Sequence, residues 1–551
     1  MKNTKNVKKN KKPSMGFLKV VAFLFLCNLF LPLPLSAQGG TTGPLTWKIN
    51  NNTLTISGTG AMPDYEWGKA PWHEYQDSIN TCIIEPGVTR IGNFAFSDWI
   101  ALTSINISNS VTSIGERAFD NCRSLTVITI PNGVTSIEKW AFLFCMSLAS
   151  INVESGNNHY ASENGVLFDK SKTTLICCPA GKIGTYVIPN SVASIGEEAF
   201  LLCASLTSID IPNSVTSIGI GAFNSCYNLT SITIPNGITR IENSVFGYCF
   251  NLTSITIPNG VTSIGSFAFE ACRSLTSIAI PNSVTSIGGG AFAGCRGFTS
   301  ITLPNSVTSI GKSTFYDCRN LTSISIPNNV TSIGASAFMS CESLTSITLP
   351  NSVTSIGTSA FRDCYNLTSI TIPNGVTSIE DLTFEFCHSL LSVTIPNSVT
   401  NIGNSAFRGC SNLTSITNLN PVPVEIETNV FQGIPKNACT LKVPVGSVSA
   451  YQNADVWEEF NIVGIVGIET LELATVKIYP NPTTGELRIT NYKLGIRGIE
   501  IFDVYGKKHE CAKARMHEGE MMLDILHLAT GIYIIKVITE NGVSIEKIIK
   551  N

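Results

Sequence analysis

The sequence predicts a β-rich solenoid of short strands and short helical turns, followed by a small C-terminal all-β sandwich domain. Three observations support this fold class: a 23-residue pattern along the middle of the chain, alternation of apolar and small polar residues within each unit, and a change of composition near residue 475. A chain of 551 residues is too long for one compact core, so a repeat array or several domains are expected.

The first 37 residues have the parts of a secretory signal peptide. Seven lysines within the first 19 residues precede an apolar run from Val20 to Leu35, and Ala37 supplies a small residue before a cut at Gln38. A membrane anchor is the alternative, but the run contains two prolines and is shorter than the about 20 residues that a span needs. We therefore predict export, with no transmembrane span in the mature chain.

Composition narrows the function classes. The net charge is -3 and only 14% of residues are charged, whereas nucleic-acid binding requires a basic surface. Six histidines, no glycine-rich phosphate loop and no paired carboxylates give no pattern for a catalytic site. The sequence predicts no enzyme, no catalytic residue, no cofactor and no nucleic-acid partner.

A motif of the form V-T-S-I-G marks the repeat and occurs thirteen times. Every interval is 23 residues except the one from Val134 to Val192, which is 35 residues longer. The motif begins at Val88, Val111, Val134, Val192, Val215, Ile238, Val261, Val284, Val307, Val330, Val353, Val376 and Val399.

The unit at residues 206–226 shows how each repeat is expected to fold. Isoleucines alternate with small polar residues, which predicts a strand with its apolar side facing inward. A proline ends that strand, and a glycine later permits a tight bend. Ala222, Phe223 and Cys226 lie three to four residues apart, which predicts one short helical turn. One unit cannot bury its apolar face alone, so the units are expected to stack.

The consensus L-x-x-I-x-I-P-x-x-V-x-x-I-G-x-x-A-F-x-x-C resembles the BspA-like class of bacterial leucine-rich repeats, from about Ile83 to Ile416. Departures are local: Glu242 and Glu380 replace glycine, and Val245 replaces alanine. Members of this class are associated with binding to host extracellular proteins and with co-aggregation. The resemblance therefore implies a protein-binding, adhesive surface protein.

The last segment has four blocks at residues 476–485, 499–506, 528–537 and 547–550. Together they resemble the type A C-terminal sorting domain of the type IX secretion system; a small sandwich domain of unrelated use is the alternative. The resemblance implies the type IX machinery as a partner. It also implies secretion, or display on the outer-membrane cell surface of a Gram-negative bacterium.

These features predict a division of the chain into five parts. They are a signal peptide at 1–37, an N-terminal β cap at 38–82, a leucine-rich repeat solenoid at 83–417 with an insertion at 152–186, a C-terminal cap at 418–467 and the sorting domain at 475–551. The insertion is expected to form a hairpin around Asp169 to Lys172. Trp67, Trp72 and Tyr75 are expected to cover the first coil, or alternatively to form a platform for carbohydrate.

Twelve of the 18 cysteines recur at one repeat position. Stacked coils would bring successive Cα atoms to about 5 Å, inside the range that disulfides need. However, side chains of such a ladder point the same way into the core, where a free thiol packs as a small hydrophobe. Reduced packing cysteines are therefore favoured over disulfides. No metal site is predicted, because a 23-residue period supplies neither close cysteine pairs nor histidine partners.

The outward residues of the first strand are the candidate binding face. Five coils read Ser-Ile-Thr, which predicts a nearly uncharged array of hydroxyls on a concave sheet. Such a face could form many weak hydrogen bonds to an extended protein or a glycan, or could simply keep the strand soluble. The residues are Ser231, Thr233, Ser254, Thr256, Ser300, Thr302, Ser346, Thr348, Ser369 and Thr371.

The leading hypothesis is a non-catalytic cell-surface or secreted protein that mediates protein binding and adhesion. Its partners would be proteins, including host extracellular matrix or other cell surfaces. The alternatives are a glycan-binding surface module and an architectural surface protein without a specific ligand.

Overall fold

The computed structural model describes residues 38–465 and, further on, 478–479, 483, 486–489, 496–503, 507–509, 514–517, 520–539 and 542–551. The predicted signal peptide lies outside these residues. The chain divides into two compact units, one ending at Gly464 and one beginning at Ile465, and each is described by itself.

The first unit is a solenoid of about 17 turns, which confirms the predicted fold class. Each regular coil supplies residues to two ladders of parallel strands, and equivalent residues of successive coils pair directly, as Ile232 does with Ile255. The first ladder contains Thr81–Ile84, Ser104–Ile107, Val127–Ile130, Ser150–Val153, Gly184–Val187, Leu206–Asp210, Ser231–Thr233, Ser254–Thr256, Ser300–Thr302, Ser323–Ser325, Ser369–Thr371, Ser392–Ile395 and Ser415–Asn418.

The second ladder is formed by the V-T-S-I segments. Its strands are mostly two residues long, because the chain must bend immediately after the isoleucine. They are Gly60–Ala61, Val88–Ile91, Ser113–Ile114, Ser136–Ile137, Ser194–Ile195, Ser217–Ile218, Arg240–Ile241, Ser263–Ile264, Ser286–Ile287, Ser309–Ile310, Ser332–Ile333, Ser355–Ile356, Ser378–Ile379 and Asn401–Ile402.

The third side of each coil, from the glycine to the cysteine, is a run of turns rather than the short helical turn that the spacing suggests. Alternate N–H groups donate to the next coil, as Phe338 does to the Ala360 carbonyl at 2.8 Å. Ser336 and Ser340 have φ values of 54° and 61°, in the left-handed region. A helix cannot form because half of its backbone donors would have to turn away from their helical acceptors.

Stacked phenylalanines fill the core on this side. One ring from each coil is buried, and centroids of successive rings lie between 5.1 and 5.9 Å apart. The core nevertheless divides at the insertion. One cluster of buried side chains extends from Leu45 to Leu167 and the other from Val166 to Phe460.

The N-terminal end is an antiparallel meander of Gln38–Thr42, Leu45–Asn50 and Thr53–Gly58. Its last strand pairs in parallel with the first ladder, so the meander closes that end of the sheet. A 3₁₀ helix at His73–Tyr75 follows. Trp72, immediately before it, stacks on Phe96 at 5.8 Å and extends the aromatic column.

The insertion forms the strands Tyr160–Glu163, Val166–Asp169 and Thr174–Cys177. The last two are joined by a tight turn, which confirms the hairpin expected around Asp169 to Lys172. Thr174–Cys177 also pairs with Ser194–Ile195 and so belongs to the second ladder. Part of the insertion therefore replaces a coil rather than lying outside the solenoid.

The C-terminal end of the solenoid departs from the repeat. It contains strands Thr440–Pro444 and Asn461–Ile465, an α-helix at Val448–Gln452, and 3₁₀ helices at Lys436–Ala438, Val445–Ser447 and Trp457–Glu459. Trp457 is buried and packs edge-on against Phe431, the last phenylalanine of the column, at 5.3 Å. This contact covers the end of the core.

The second unit contains two four-stranded sheets in its described part. Leu487 and Leu523 of one sheet share a buried core with Ile501, Ile535 and Ile548 of the other, which is the arrangement of a sandwich. Pro480, Asn481 and Pro482 of the first sorting block lie outside the described residues. The strands are Ile478–Tyr479, Glu486–Ile489, Ile496–Asp503, Lys508–His509, Ala514–His517, Glu520–Asp524, Gly531–Thr539 and Gly542–Lys550.

Candidate binding surfaces

The hydroxyl face, the ten serine and threonine residues predicted above, lies along the first ladder. All ten residues are exposed, and the isoleucine between each pair is buried. This alternation is the direct consequence of strand geometry, in which successive side chains point to opposite sides. The structure thus places the predicted residues together on one surface of the solenoid.

The hydroxyl face is in register from coil to coil. Ser231 pairs with Ser254 and Thr233 with Thr256, and a bridge joins Ser346 to Ser369. Among the described residues, none of the ten hydroxyls forms a hydrogen bond to another protein group. The hydroxyls are consequently available to water or to a partner. Their spacing is about 4.8 Å between adjacent coils, and about twice that across the coils of Ser277 and Ser323, which lie between members of the set.

The threonine one residue before three of these serines, at Thr230, Thr253 and Thr368, has a different role. Thr230 donates its hydroxyl to the Thr207 carbonyl at 3.2 Å, and Thr253 donates to the Thr230 carbonyl at 3.1 Å. These hydroxyls tie successive coils together through backbone acceptors. Exposure alone therefore does not identify a binding residue on this solenoid.

The N-terminal aromatic residues do not form a platform. Trp72 is fully buried, and its indole N–H donates to the Ala95 carbonyl at 2.7 Å. Trp47 packs against Trp72 and Tyr75 with centroid distances of 6.2 and 6.3 Å. Trp67 is 62% exposed, but a single ring is not the flat array that a carbohydrate platform needs. These residues cover the first coil.

The repeat cysteines are buried free thiols. Each regular thiol donates to the carbonyl of a phenylalanine 26 residues earlier, as Cys364 does to Phe338 at 3.2 Å and Cys249 to Phe223 at 3.3 Å. Burial raises the pKa of Cys249 and of Cys410 to about 12. A thiol that stays protonated and hydrogen-bonded is a structural group, and it has little nucleophilic character.

A second outward row was not anticipated from the sequence. It follows the position directly after the repeat cysteine, where residue types vary from coil to coil. Tyr227 and Phe250 stack at 5.0 Å, and the Arg273 guanidinium lies 4.6 Å from the Phe250 centroid. Further along, Asp317 accepts ion pairs from Arg296 and Arg319, both at 2.6 Å. Listing only this position for every coil would have revealed the row.

The described part of the chain contains no cluster of three or more histidine, cysteine or acidic side chains that could hold a metal ion. In the same part, none of the helices combines the length and the apolar character that crossing a membrane requires.

Comparison with protein families identifies the two units. The profile described as the BspA type Leucine rich repeat region (6 copies) matches residues 73–187, 176–297, 262–390 and 331–454, which together exceed half of the chain. The chain belongs to this family of bacterial leucine-rich repeat proteins. Residues 477–551 match the secretion system C-terminal sorting domain, which indicates type IX secretion to the cell surface or the medium. Neither matched family is a catalytic domain.

Several solved structures are similar to this chain. A leucine-rich repeat protein from Bacteroides ovatus is 28% identical, with 69% of this chain and 94% of that chain covered and a TM-score of 0.45. One from Eubacterium ventriosum is 27% identical, with 60% and 95% covered and a TM-score of 0.45. A leucine-rich cell surface protein from Faecalibacterium prausnitzii is 26% identical, with 79% and 96% covered and a TM-score of 0.35. A comparison with curated proteins finds no significant match.

Proposed function

We propose that this chain is a non-catalytic surface protein that binds other proteins through the hydroxyl face and thereby mediates adhesion. The observation that carries the proposal is the row of exposed, uncharged hydroxyls that pair in register and have no internal hydrogen-bond partner. Membership in a family of repeat surface proteins supports it.

The chemistry of the hydroxyl face favours many weak contacts over one strong contact. A hydrogen bond from an exposed hydroxyl replaces one to water, so each contributes only about 0.5–1.5 kcal/mol. Repetition along the ladder lets a long partner engage several coils at once, which raises avidity. The absence of charge on these ten side chains means that association relies on short-range fit rather than on electrostatic steering.

The location that fits this function is the outer-membrane surface of a Gram-negative bacterium, or the surrounding medium. The predicted signal peptide would deliver the chain to the periplasm, and the sorting domain would direct it through the type IX machinery. At that site the solenoid would face host proteins and other cells.

Charge insertion on the hydroxyl face tests the proposal. The full chain and the variant Thr233→Glu/Thr302→Glu/Thr348→Glu are compared for binding to immobilised extracellular-matrix proteins and to a glycan array. These threonines lie on separated coils, so the new carboxylates do not repel each other strongly. The matched control, Ser217→Glu/Ser286→Glu/Ser355→Glu, places the same charges on exposed serines of the second ladder.

We expect the unaltered chain to bind at least one matrix protein, the hydroxyl-face variant to bind at least tenfold more weakly, and the control to stay within twofold. Equal binding by both variants would remove the hydroxyl face from the function. Binding to glycans but to no protein would replace the proposal with a glycan-binding module. Binding to neither class, with normal assembly of the cell surface, would favour an architectural protein.

A further inference from the structure

The column of stacked phenylalanine rings is interrupted at one place in the described solenoid, next to the insertion. Beyond it, successive phenylalanine rings lie 5.1 to 5.7 Å apart. At the interruption, Phe142 stacks on Phe119 at 5.9 Å on one side. Phe200, the next ring of the column, instead meets Tyr186 at 5.9 Å with an interplanar angle of 55°. The turn runs of these two coils are therefore not packed against each other.

Only a short segment of the insertion around Cys178, here called the bypass, occupies part of the space between these coils. The Cys178 N–H donates to the Ala199 carbonyl at 2.7 Å, and the Cys203 thiol donates to the Cys178 carbonyl at 3.5 Å. Cys178 thus takes the place that a phenylalanine carbonyl has in the regular coils. The bypass supplies the inner contacts of a coil without the bulk of its turn run.

The remaining space is a cleft of about 210 Å³. A cavity of about 150 Å³ lined by apolar side chains accepts a benzene-sized ring. The cleft therefore has room for one aromatic ring or one branched aliphatic side chain. Its lining is mostly apolar and includes Phe142, Leu143, Leu167, Ile176, Pro179 and Leu201.

Three acidic residues, Glu138, Glu197 and Glu198, line the mouth of the cleft together with Lys139. Glu138 pairs with Arg90 at 3.3 Å and Glu197 with Lys139 at 2.8 Å, and Arg117, which lies over Trp140, pairs with Asp120 at 3.4 Å. Glu198 instead accepts a hydrogen bond from the neutral indole of Trp140. The charge of Glu198 is thus not cancelled by its closest partner, and a cationic group at the mouth would be attracted.

The same residues disfavour a sugar. Carbohydrates stack on open aromatic faces, but the Arg117 guanidinium already lies 4.8 Å from the centroid of Trp140. The apolar lining would also leave the hydroxyls of a buried sugar ring without partners. A large apolar side chain avoids both costs.

We propose that this cleft binds a polypeptide partner by taking up one bulky apolar side chain, with a lysine or arginine next to it at the acidic mouth. The site is separate from the hydroxyl face and shares with it only the premise that the chain binds proteins. The two proposals therefore fail independently.

The test uses the full chain and labelled pentapeptides. Fluorescence polarisation compares Gly-Lys-Phe-Lys-Gly with Gly-Lys-Ala-Lys-Gly, which lacks the ring, and with Gly-Glu-Phe-Glu-Gly, which reverses the charge. We expect the first peptide to bind at least tenfold more tightly than either of the others. Its affinity should also fall as salt is added, because the attraction at the mouth is screened.

Two variants locate the binding site. Leu201→Trp fills the cleft and should weaken binding at least tenfold, and Glu197→Gln/Glu198→Gln should weaken it three- to tenfold. The matched controls are Met339→Trp, at the same repeat position in a regular coil, and Glu342→Gln, which pairs with Arg319 at 3.2 Å. Both controls should bind within twofold of the unaltered chain. Thermal unfolding by circular dichroism verifies that each variant is folded.

The proposal is overturned if none of the three peptides binds at millimolar concentration, or if the ring-free peptide binds as well as the others. It is equally overturned if the cleft variants and their controls behave alike. Binding of a chito-oligosaccharide that Leu201→Trp abolishes, without binding of the peptides, would assign the cleft to carbohydrate. Loss of matrix-protein binding by the hydroxyl-face variant alone would leave the cleft assignment unaffected.

Discussion

The coils after Val192 and the coils that border the insertion follow one sequence rule, but they bury their side chains differently. In the regular block, the column phenylalanines from Phe223 to Phe407 have a stacked ring on both sides, as Phe292 has in Phe269 and Phe315. At the insertion, Phe142 has a stacked ring on one side and the cleft on the other. The same residue type at the same repeat position thus has two environments.

This difference shows what an insertion can do in a repeat protein. Each coil contacts only its neighbours, so an alteration in one coil changes local shape without disturbing distant coils. The regular coils provide a uniform surface, and the irregular coil provides an enclosed space with its own charge. Uniform and local recognition can therefore coexist on one solenoid.

The largest expected effect is loss of a stacked ring. Phe292→Ala should reduce the free energy of unfolding by about 3–5 kcal/mol, because it removes a fully buried ring and leaves a cavity between two others. Phe142→Ala should cost about 2 kcal/mol, since water and the cleft already face one side of that ring. Urea unfolding of the full chain, followed by circular dichroism, measures both values.

Equal costs for Phe292→Ala and Phe142→Ala would show that the interruption does not weaken packing. Phe338→Ala serves as the control for position along the array, because its rings on both sides lie at 5.4 Å. It should match Phe292→Ala to within about 1 kcal/mol, the usual spread for similar buried sites.

Breaking an ion pair should change the free energy of unfolding by less than removing a ring, and the change should differ between the regular block and the cleft. Glu385 of the regular block is 2% exposed and pairs with Arg362 at 3.0 Å, whereas Lys139 and Glu197 at the cleft are both well exposed. Arg362→Leu should cost about 2–3 kcal/mol, because it strands a buried carboxylate with only Arg408 nearby. Lys139→Met should leave the free energy of unfolding nearly unchanged, because both members of that pair are exposed to solvent. The same urea measurement distinguishes them.

A cost for Lys139→Met as large as that for Arg362→Leu would mean that the pair at the cleft is essential to the fold. Repeating the measurement at high ionic strength provides a check, because salt screens the exposed pair of Lys139 and Glu197 more strongly than the buried pair of Arg362 and Glu385.

The sequence predicts the repeated parts of this structure well and the exceptional parts poorly. Strand alternation places Ser231 and Thr233 outward because side-chain direction in a strand follows from position alone. It does not predict that Ser336 and Ser340 adopt left-handed turns, because the spacing of the apolar residues equally fits a helical turn. That ambiguity is settled only by hydrogen bonds to the next coil.

The candidate sites divide in the same way. The hydroxyl face repeats, so it can be read from one unit and extended to the others. The cleft joins Trp140 to Glu198, which are 58 residues apart and belong to different coils. Likewise, Trp72 is buried rather than presented to solvent because it lies over Phe96 of the next coil. Such contacts depend on how one coil packs against another, and the sequence of a single repeat unit does not specify that packing.

A pH dependence that differs in sign between the solenoid and the insertion is also expected. Asp120 of an early coil is 5% exposed, and burial raises its pKa from 3.8 to about 6 despite the nearby Arg117. The folded chain then holds more protons at this site than the unfolded chain between pH 4 and 6, so Asp120 makes the fold less stable as the pH rises through that window.

In the insertion, burial alone would raise the pKa of Asp169, but hydrogen bonds from Ser171, Thr173 and Thr174 outweigh it and lower the pKa. Asp169 therefore stabilises the fold above about pH 4, and that contribution is lost as the pH falls.

Asparagine substitutions at the two sites should separate these contributions. The stability of Asp120→Asn relative to the unaltered chain should rise by about 1–2 kcal/mol between pH 4 and 7, because the variant lacks the buried charge that forms in this range. Relative to the same reference, Asp169→Asn should lose stability as the pH rises from 3 to 5, because it cannot become the carboxylate that the hairpin turn stabilises. Urea midpoints at half-unit pH steps give both curves. If both variants instead gained stability, or both lost it, relative to the unaltered chain as the pH rises, the two carboxylates would have similar environments. The insertion would then resemble the solenoid more closely than its geometry indicates.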